Sequence, residues 1–226
     1  MSRLRHTWQR IRRGWKRTDT IVLLTNLAAF GLFIGNCWWE SVNVAITASA
    51  VPLAIQARRA RLDPTLRSAL LFGALTGFLW PLGEWFVVNV FGWWGSYTAP
   101  GFRILETPFY CVLIGWLSSA YLAYLAARIL ELEFRLRTAV IQVGITALAL
   151  GFLGENLFVS GGMWTYDKSG LDWYRVPAFV PIAYALGYAA LPLLRRFPLV
   201  PRTLIFTLIL LIVSLALGLA TGFFPR

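Results

Sequence analysis

The sequence predicts an all-α integral membrane protein: one bundle of about seven transmembrane helices with an internal helical-hairpin repeat. Three observations carry this. Hydrophobic residues make up 58% of the 226 and charged ones only 14%, with a mean hydropathy of +0.64, which leaves too little polar surface for a soluble domain. Apolar stretches of membrane length recur along the chain, a bilayer core of about 30 Å taking roughly 20 residues of helix. With the chain so divided, 17 of the 21 basic residues fall on one side of the membrane.

Residues 1–19 form a basic amphipathic segment. Leu4, Trp8, Ile11 and Trp15 recur at helical spacing with arginines between them. That is the pattern of a helix lying in the interface, Trp face down and Arg face among headgroups; a disordered basic tail is the plainer alternative. No small-residue cleavage site follows an apolar core there, so the segment does not read as a signal peptide.

Residues 20–226 form a single polytopic domain with expected spans at 20–37, 41–57, 68–90, 107–127, 138–160, 176–194 and 203–223. Only Asn36, Glu40 and Asn43 interrupt the first two, which alternatively make one long bent segment and six spans in all. The links 56–67, 128–137 and 195–202 are short and basic. Glu131 and Glu133, interleaved with Arg128, Arg135 and Arg137, read as ordinary solvated helix ends. No link is long enough to separate domains. With seven spans the positive-inside rule puts the N-terminus in the cytoplasm and the C-terminus outside the cell membrane, with only Arg103, Lys168, Arg175 and Arg226 opposite.

The repeat copies cover about 68–127 and 138–194. Each carries Gly-Glu near the outer end of a span, Gly83-Glu84 or Gly154-Glu155. Gly and Trp follow (Gly92 and Trp94; Gly162 and Trp164), then Tyr97 or Tyr166, a polar link, and Pro108 or Pro177 opening the next span. The offset drifts only from 71 residues at the Glu to 70 at the Trp and 69 at the Pro, which accident rarely produces across four residue types. The outer links 91–106 and 161–175 are rich in Gly, Trp, Tyr and Asp and read as structured. An aromatic belt explains part of their tryptophan content, but a belt should mark both faces of the membrane.

Counted back from the outer ends, Glu84 and Glu155 lie roughly 9 Å deep at 1.5 Å per residue. Glu40, Asn36 and Asn43 belong near the same level, with Asn89 and Asn156 close by. No Lys, Arg or His falls inside a span to pair with the acids. An intramembrane ionisable group is costly, faces the bundle interior, and marks a functional site by default. A carboxyl that keeps its proton in an apolar pocket is a general acid, and neighbouring ring faces stabilise positive charge.

Such a set suits acid-initiated chemistry on an alkene: protonation of a double bond, shelter of the carbocation, and quenching by water or ring closure. Glu84 and Glu155 are the leading catalytic candidates, with Glu40 beside them. Asn36, Asn43 and Glu106 would orient or tune the acids, and Trp94, Tyr97, Tyr110, Trp164, Tyr166 and Asp167 would line the substrate pocket. The plainer readings are helix-packing hydrogen bonds for the glutamates and interfacial anchoring for the aromatics.

Absences narrow the class further. Lys16 and Lys168, the only lysines, lie outside the spans, which excludes a retinal Schiff base. The single histidine, His6, sits in the tail and excludes His-ligated di-iron or haem chemistry and an intramembrane Ser-His protease. No paired Asp-rich motif is present to hold magnesium on a diphosphate. No metal or cofactor is expected. The net charge of +11, spread over short loops, needs no partner beyond anionic membrane lipid, and nucleic acid is not expected. Cys37 and Cys111 read as buried unpaired thiols, with a disulfide as the alternative if the outer side is oxidising.

The run Glu84, Gly92, Trp94, Tyr97, Thr107-Pro108 and Trp116, echoed by Glu155, Gly162, Trp164, Tyr166 and Val176-Pro177, resembles the membrane carotenoid hydratases of the bacterioruberin type over about half the chain. Pro81-Leu82-Gly83-Glu84 is similar to the Pro-Leu-Glu-Glu run of the membrane lycopene cyclases, with Gly in place of the first Glu. Asn36-Cys37-Trp38-Trp39-Glu40 resembles the Asn-x-x-Trp-Glu element of the membrane terpene cyclases that build meroterpenoids. The resemblance implies a cofactor-independent enzyme that protonates a lipid-soluble isoprenoid alkene, polyprenyl or carotenoid, and then adds water or closes a ring. The rival expectation is a small proton-coupled transporter built from the same repeat and using the same carboxyls.

Overall fold

The computed structural model describes residues 2–91, 96–166 and 171–221, with side chains from residue 6 onward and none at residue 91. Helix α1 (Ser2–Gly14) holds the tail's arginines and rests on a turn between two later helices. Arg10 Nη1 donates to the Glu133 carbonyl at 3.3 Å, and its guanidinium stands 5.6 Å from the centre of the Phe134 ring. Trp8 and Trp15 are exposed.

Helix α2 (Arg17–Trp39) begins before the expected domain boundary, because the Asp19 carboxylate accepts the Lys16 N–H at 2.7 Å and closes the first turn. It ends where Glu40 takes a left-handed backbone at φ 45°. Helix α3 (Val42–Ala60) then doubles back on α2. Gln56 Nε2 donates to Thr25 Oγ1 at 2.8 Å and Arg59 Nε to Thr18 Oγ1 at 2.9 Å, contacts only an antiparallel pair can make. The alternative of one long bent segment is thereby replaced by a hairpin.

Helices α4 (Pro64–Phe91) and α5 (Phe109–Glu131) pack most extensively on each other, as do α6 (Leu136–Ser160) and α7 (Phe179–Ala189). A short α8 (Leu191–Leu194) follows, and α9 (Leu199–Ala220) closes the bundle against α4 and α7. The expected span 176–194 is broken at Ala190, since Pro192 has no N–H and its ring opposes the carbonyl four residues back. Five helices (α2, α4, α5, α6 and α9) are long and apolar enough to cross a membrane. The stretch Phe179–Leu194 is too short by that measure, and α3 ends in Gln56, Arg58 and Arg59.

Helices α4 and α5 meet along Gly73 and Gly77. A Cβ at Gly77 would lie 2.7 Å from the Val112 carbonyl oxygen and 3.0 Å from Trp116 N; one at Gly73 would lie 2.5 Å from the Trp116 carbonyl oxygen. These neighbours are backbone atoms, which cannot swing aside. Small residues one turn apart let backbones approach where lipid supplies no hydrophobic drive to associate. Gly77→Ala is therefore expected to force the helices apart and to cost about 1–3 kcal/mol. The check is the thermal midpoint in detergent, which should fall; an unchanged midpoint would show that the contact has slack.

Two β-hairpins stand at the end of the bundle away from α1. Strand β1 (Arg103–Ile104) pairs with β2 (Thr107–Pro108), and β3 (Asp172–Trp173) with β4 (Val176–Pro177). Each turn places a non-glycine residue in the left-handed region, Leu105 at φ 55° and Tyr174 at φ 65°. Each is closed outside the strands by a 2.8 Å backbone bond, from Phe109 N–H to the Phe102 carbonyl and from Ala178 N–H to the Leu171 carbonyl.

Candidate active site

The two outer links are stitched to each other, and this builds the site. Thr165 N–H donates to the Ser96 carbonyl at 2.9 Å, while the Met163 carbonyl accepts Thr98 N–H at 3.2 Å, Ala99 N–H at 3.3 Å and the Tyr110 hydroxyl at 2.9 Å. Tyr97 and Trp164 thus become an antiparallel bridged pair. Directly opposed residues in such a pair project from the same face. Their rings meet edge to face with centroids 6.1 Å apart.

Beneath them lie the two acids. The Tyr97 hydroxyl donates to Glu84 Oε1 and the Thr107 hydroxyl to Glu84 Oε2. Glu155 Oε2 accepts Trp164 Nε1–H at 3.1 Å and the Tyr166 hydroxyl at 2.8 Å, while Oε1 accepts the Tyr184 hydroxyl at 2.8 Å. Glu84 is 3% exposed and Glu155 8%, so neither faces lipid. Asn156, next to Glu155, accepts the Arg175 N–H at 3.0 Å through Oδ1 and pins the second hairpin to α6.

Both carboxyls line one cavity of about 160 Å³ between α4, α5, α6 and α7. Its wall is aromatic around the acids, with Trp80, Tyr97, Phe158, Trp164, Tyr166 and Tyr184. Toward the far end it is aliphatic and hydroxyl-bearing, with Ile114, Leu122, Leu150, Thr76, Ser119 and Tyr188. A volume near 160 Å³ matches that of an engineered apolar cavity that admits benzene. The space therefore takes the end of a hydrocarbon chain, not a whole long isoprenoid.

Of the residues expected at the site, Glu84, Glu155, Tyr97, Trp164 and Tyr166 come together at this cavity. Five others do not. Glu40 is exposed at the end of α2, and Asn43 and Glu106 are exposed on α3 and in the first hairpin turn. Asn36 is buried, but its Oδ1 accepts the Ser41 N–H at 3.0 Å and so caps the turn between α2 and α3. Tyr110 is spent on the Met163 carbonyl. Sequence depth placed Glu40, Asn36 and Asn43 near the acids; lateral position, which depth does not specify, separates them. Trp94 and Asp167 lie outside the described residues.

Tyr184 and Thr76 escaped the sequence reading, and Thr107 entered it only as part of the Thr107-Pro108 pair, without a role at the acids. Tyr184 carried a usable signal, since Tyr184 and Tyr188 sit one turn apart within an apolar stretch and a buried phenol needs a partner. The cysteines are both free, Cys37 beside the Leu157 carbonyl and Cys111 in the cavity wall. Among the described residues no three His, Cys, Asp or Glu side chains gather as a metal site.

At the opposite end the reading of Arg128 as a solvated helix end is corrected, while Glu131 is exposed as expected. Arg128 grips Asp19 twice, Nε to Oδ1 at 2.7 Å and Nη2 to Oδ2 at 2.8 Å, with side chains 7% and 9% exposed. Arg128 Nη2 also donates to the Gly14 carbonyl at 2.7 Å, and Tyr124 to Asp19 Oδ1 at 2.7 Å. Glu131 accepts from Arg128, from the Thr65 hydroxyl at 2.6 Å and from Lys16 Nζ at 3.1 Å. Glu133, Arg135 and Arg137 are exposed, as expected. No protein-family model, curated protein or solved structure matches this chain.

Proposed function

We infer that this chain is a membrane-embedded, cofactor-independent enzyme that protonates the terminal alkene of an isoprenoid and quenches the carbocation with water or by ring closure. The observation that carries the reading is the single cavity lined by both Glu84 and Glu155 under a roof of indole and phenol rings. Carboxyls with no opposing cation among the described residues, walled by rings that stabilise a cation, are the parts such chemistry needs.

In this reading the two acids divide the roles. Glu155 Oε2 faces the Trp164 indole, which can only donate, so that oxygen is suited to stay unprotonated. Glu84 is met by the hydroxyls of Tyr97 and Thr107, which can turn and accept a proton from it, and by the Trp80 indole. Glu84 is taken as the acid: its proton goes to one alkene carbon and the cation forms at the neighbouring carbon. Glu155 stabilises that cation and takes the proton released when water adds or when the ring closes. Returning this proton to Glu84 completes the cycle, and the net change is addition of water or isomerisation.

An ancestral duplication accounts for the frame. What supports it is that cavity-lining positions pair at the same offsets: Thr76 with Ala147, Trp80 with Gly151 and Glu84 with Glu155 at 71 residues, and Tyr97 with Tyr166, Gly115 with Tyr184 and Ser119 with Tyr188 at 69. Seven crossings complete the topology, with α3 (about 28 Å at 1.5 Å per residue) and the α7–α8 stretch as the two shorter ones. The basic end faces the cytoplasm and the hairpins face outward. Trp8 and Trp15, exposed among arginines, rest α1 on the lipid headgroups.

The test is expression in a host that makes carotenoids or polyprenols, followed by mass analysis of the lipid extract. A product heavier by one water marks hydration, and an isomer of shifted retention marks cyclisation. An unchanged extract across substrates of both kinds sinks the enzymatic reading and leaves the proton-coupled transporter, for which the same carboxyls would serve.

A further inference from the structure

Thr76 is the one buried hydroxyl of the cavity wall that the described residues leave without a partner; it is 4% exposed. Serine and threonine inside apolar helices ordinarily return the hydroxyl to the carbonyl four residues back. Thr25, Ser49, Ser118, Thr146 and Thr203 all do so here. Thr76 does not, and its Oγ1 is left to the cavity. Nearby, Ser119 Oγ and Tyr188 OH are hydrogen-bonded at 2.7 Å. The cavity therefore has two polar ends, carboxyls at the outer and hydroxyls at the inner, joined by Ile114 and Leu150. Thr76 and Glu84 are eight positions apart on α4, about 12 Å along the helix axis.

We propose that the inner end is a recognition site for the oxygen of an isoprenoid alcohol, hydrogen-bonded by Thr76 while the alkene of the same ligand lies at the carboxyl end. This rests on the reading of the cavity as an isoprenoid site and narrows its substrate class from hydrocarbon to alcohol. An unpaired hydroxyl in an apolar wall lowers stability until a ligand pairs it, as expected of a side chain kept for binding.

The experiment measures binding of geraniol, and of myrcene as a hydrocarbon of matching carbon skeleton, to the purified full-length protein in detergent, by quenching of tryptophan fluorescence. The wild type is expected to prefer geraniol by about tenfold. Thr76→Val, which keeps the shape, should abolish that preference with myrcene binding unchanged, and Thr76→Ser should keep it. Because the hydroxyl has no protein partner, Thr76→Val should also leave the thermal midpoint equal or higher. Equal binding of the two ligands by the wild type, a preference that survives Thr76→Val, or a fall in the midpoint overturns the proposal. Binding of geraniol without turnover would sink the acid chemistry and leave this site standing, whereas turnover of hydrocarbons without an alcohol preference would do the reverse.

Discussion

Glu84→Gln is expected to reduce turnover of the isoprenoid substrate by about 10²- to 10⁴-fold, the usual contribution of a positioned general acid, while the protein still folds and reaches the membrane. Glutamine keeps the size and the hydrogen bonds: its carbonyl accepts from one of the Tyr97 and Thr107 hydroxyls, and its amide donates to the other. What it lacks is a proton that an alkene can take. Glu155→Gln should also slow the reaction, because an amide neither takes the released proton nor balances a cation. Glu40→Gln is the internal control. Glu40 is exposed at the end of α2, away from the cavity, so its turnover should stay within about twofold of wild type, the size of effect ordinarily seen for exposed side chains. Turnover by Glu84→Gln at the wild-type rate would remove Glu84 from the chemistry.

Arg128→Met is expected to destabilise the folded protein by about 3–5 kcal/mol, the range for removing one partner of a buried ion pair. The loss exceeds that of a surface bridge because Asp19 would remain buried with no cation. Glu131 would also lose one of its two cationic partners, and the Gly14 carbonyl its donor. Helix α1 should loosen first, since Arg128 and Lys16 tie the stretch behind it to α5. Adding Asp19→Asn to Arg128→Met should recover part of the loss, because the uncompensated charge, more than the missing contact, carries the penalty. Thermal or denaturant midpoints of the two single variants and the double variant give the coupling. A cost below about 1 kcal/mol for Arg128→Met would mean that the pair behaves as a solvated surface bridge after all.

These two ends of the bundle show what a linear reading can reach. Glu84 and Glu155 stand out in the sequence because an acid inside an apolar segment violates the local pattern, and their Gly, Trp and Tyr companions recur at nearly constant offsets. Arg128 violates nothing: charges at the end of a helix are the common case, and its role depends on Asp19, more than a hundred positions earlier. Asn36, Asn43, Glu40, Glu106 and Tyr110 do not line the cavity for a related reason. Distance from a span's end is readable from the chain, but the direction in which a helix face points is set by its neighbours. The same holds for Thr76, whose hydroxyl matters only because its own helix does not take it back.

By itself the sequence determined the helical membrane class, the approximate helix bounds, the basic end, and the two acids with their aromatic company. Each is a property of composition or period along a single segment, and lipid enforces it segment by segment, since every backbone group must be satisfied within its own helix. Only the tertiary structure decided that α2 and α3 form a hairpin, that Tyr97 lies across from Trp164, that both carboxyls open on one cavity, and that Arg128 closes on Asp19. Those outcomes rest on pairings between residues far apart in the chain, chosen by close packing at glycines and by the need of every buried polar group for a partner.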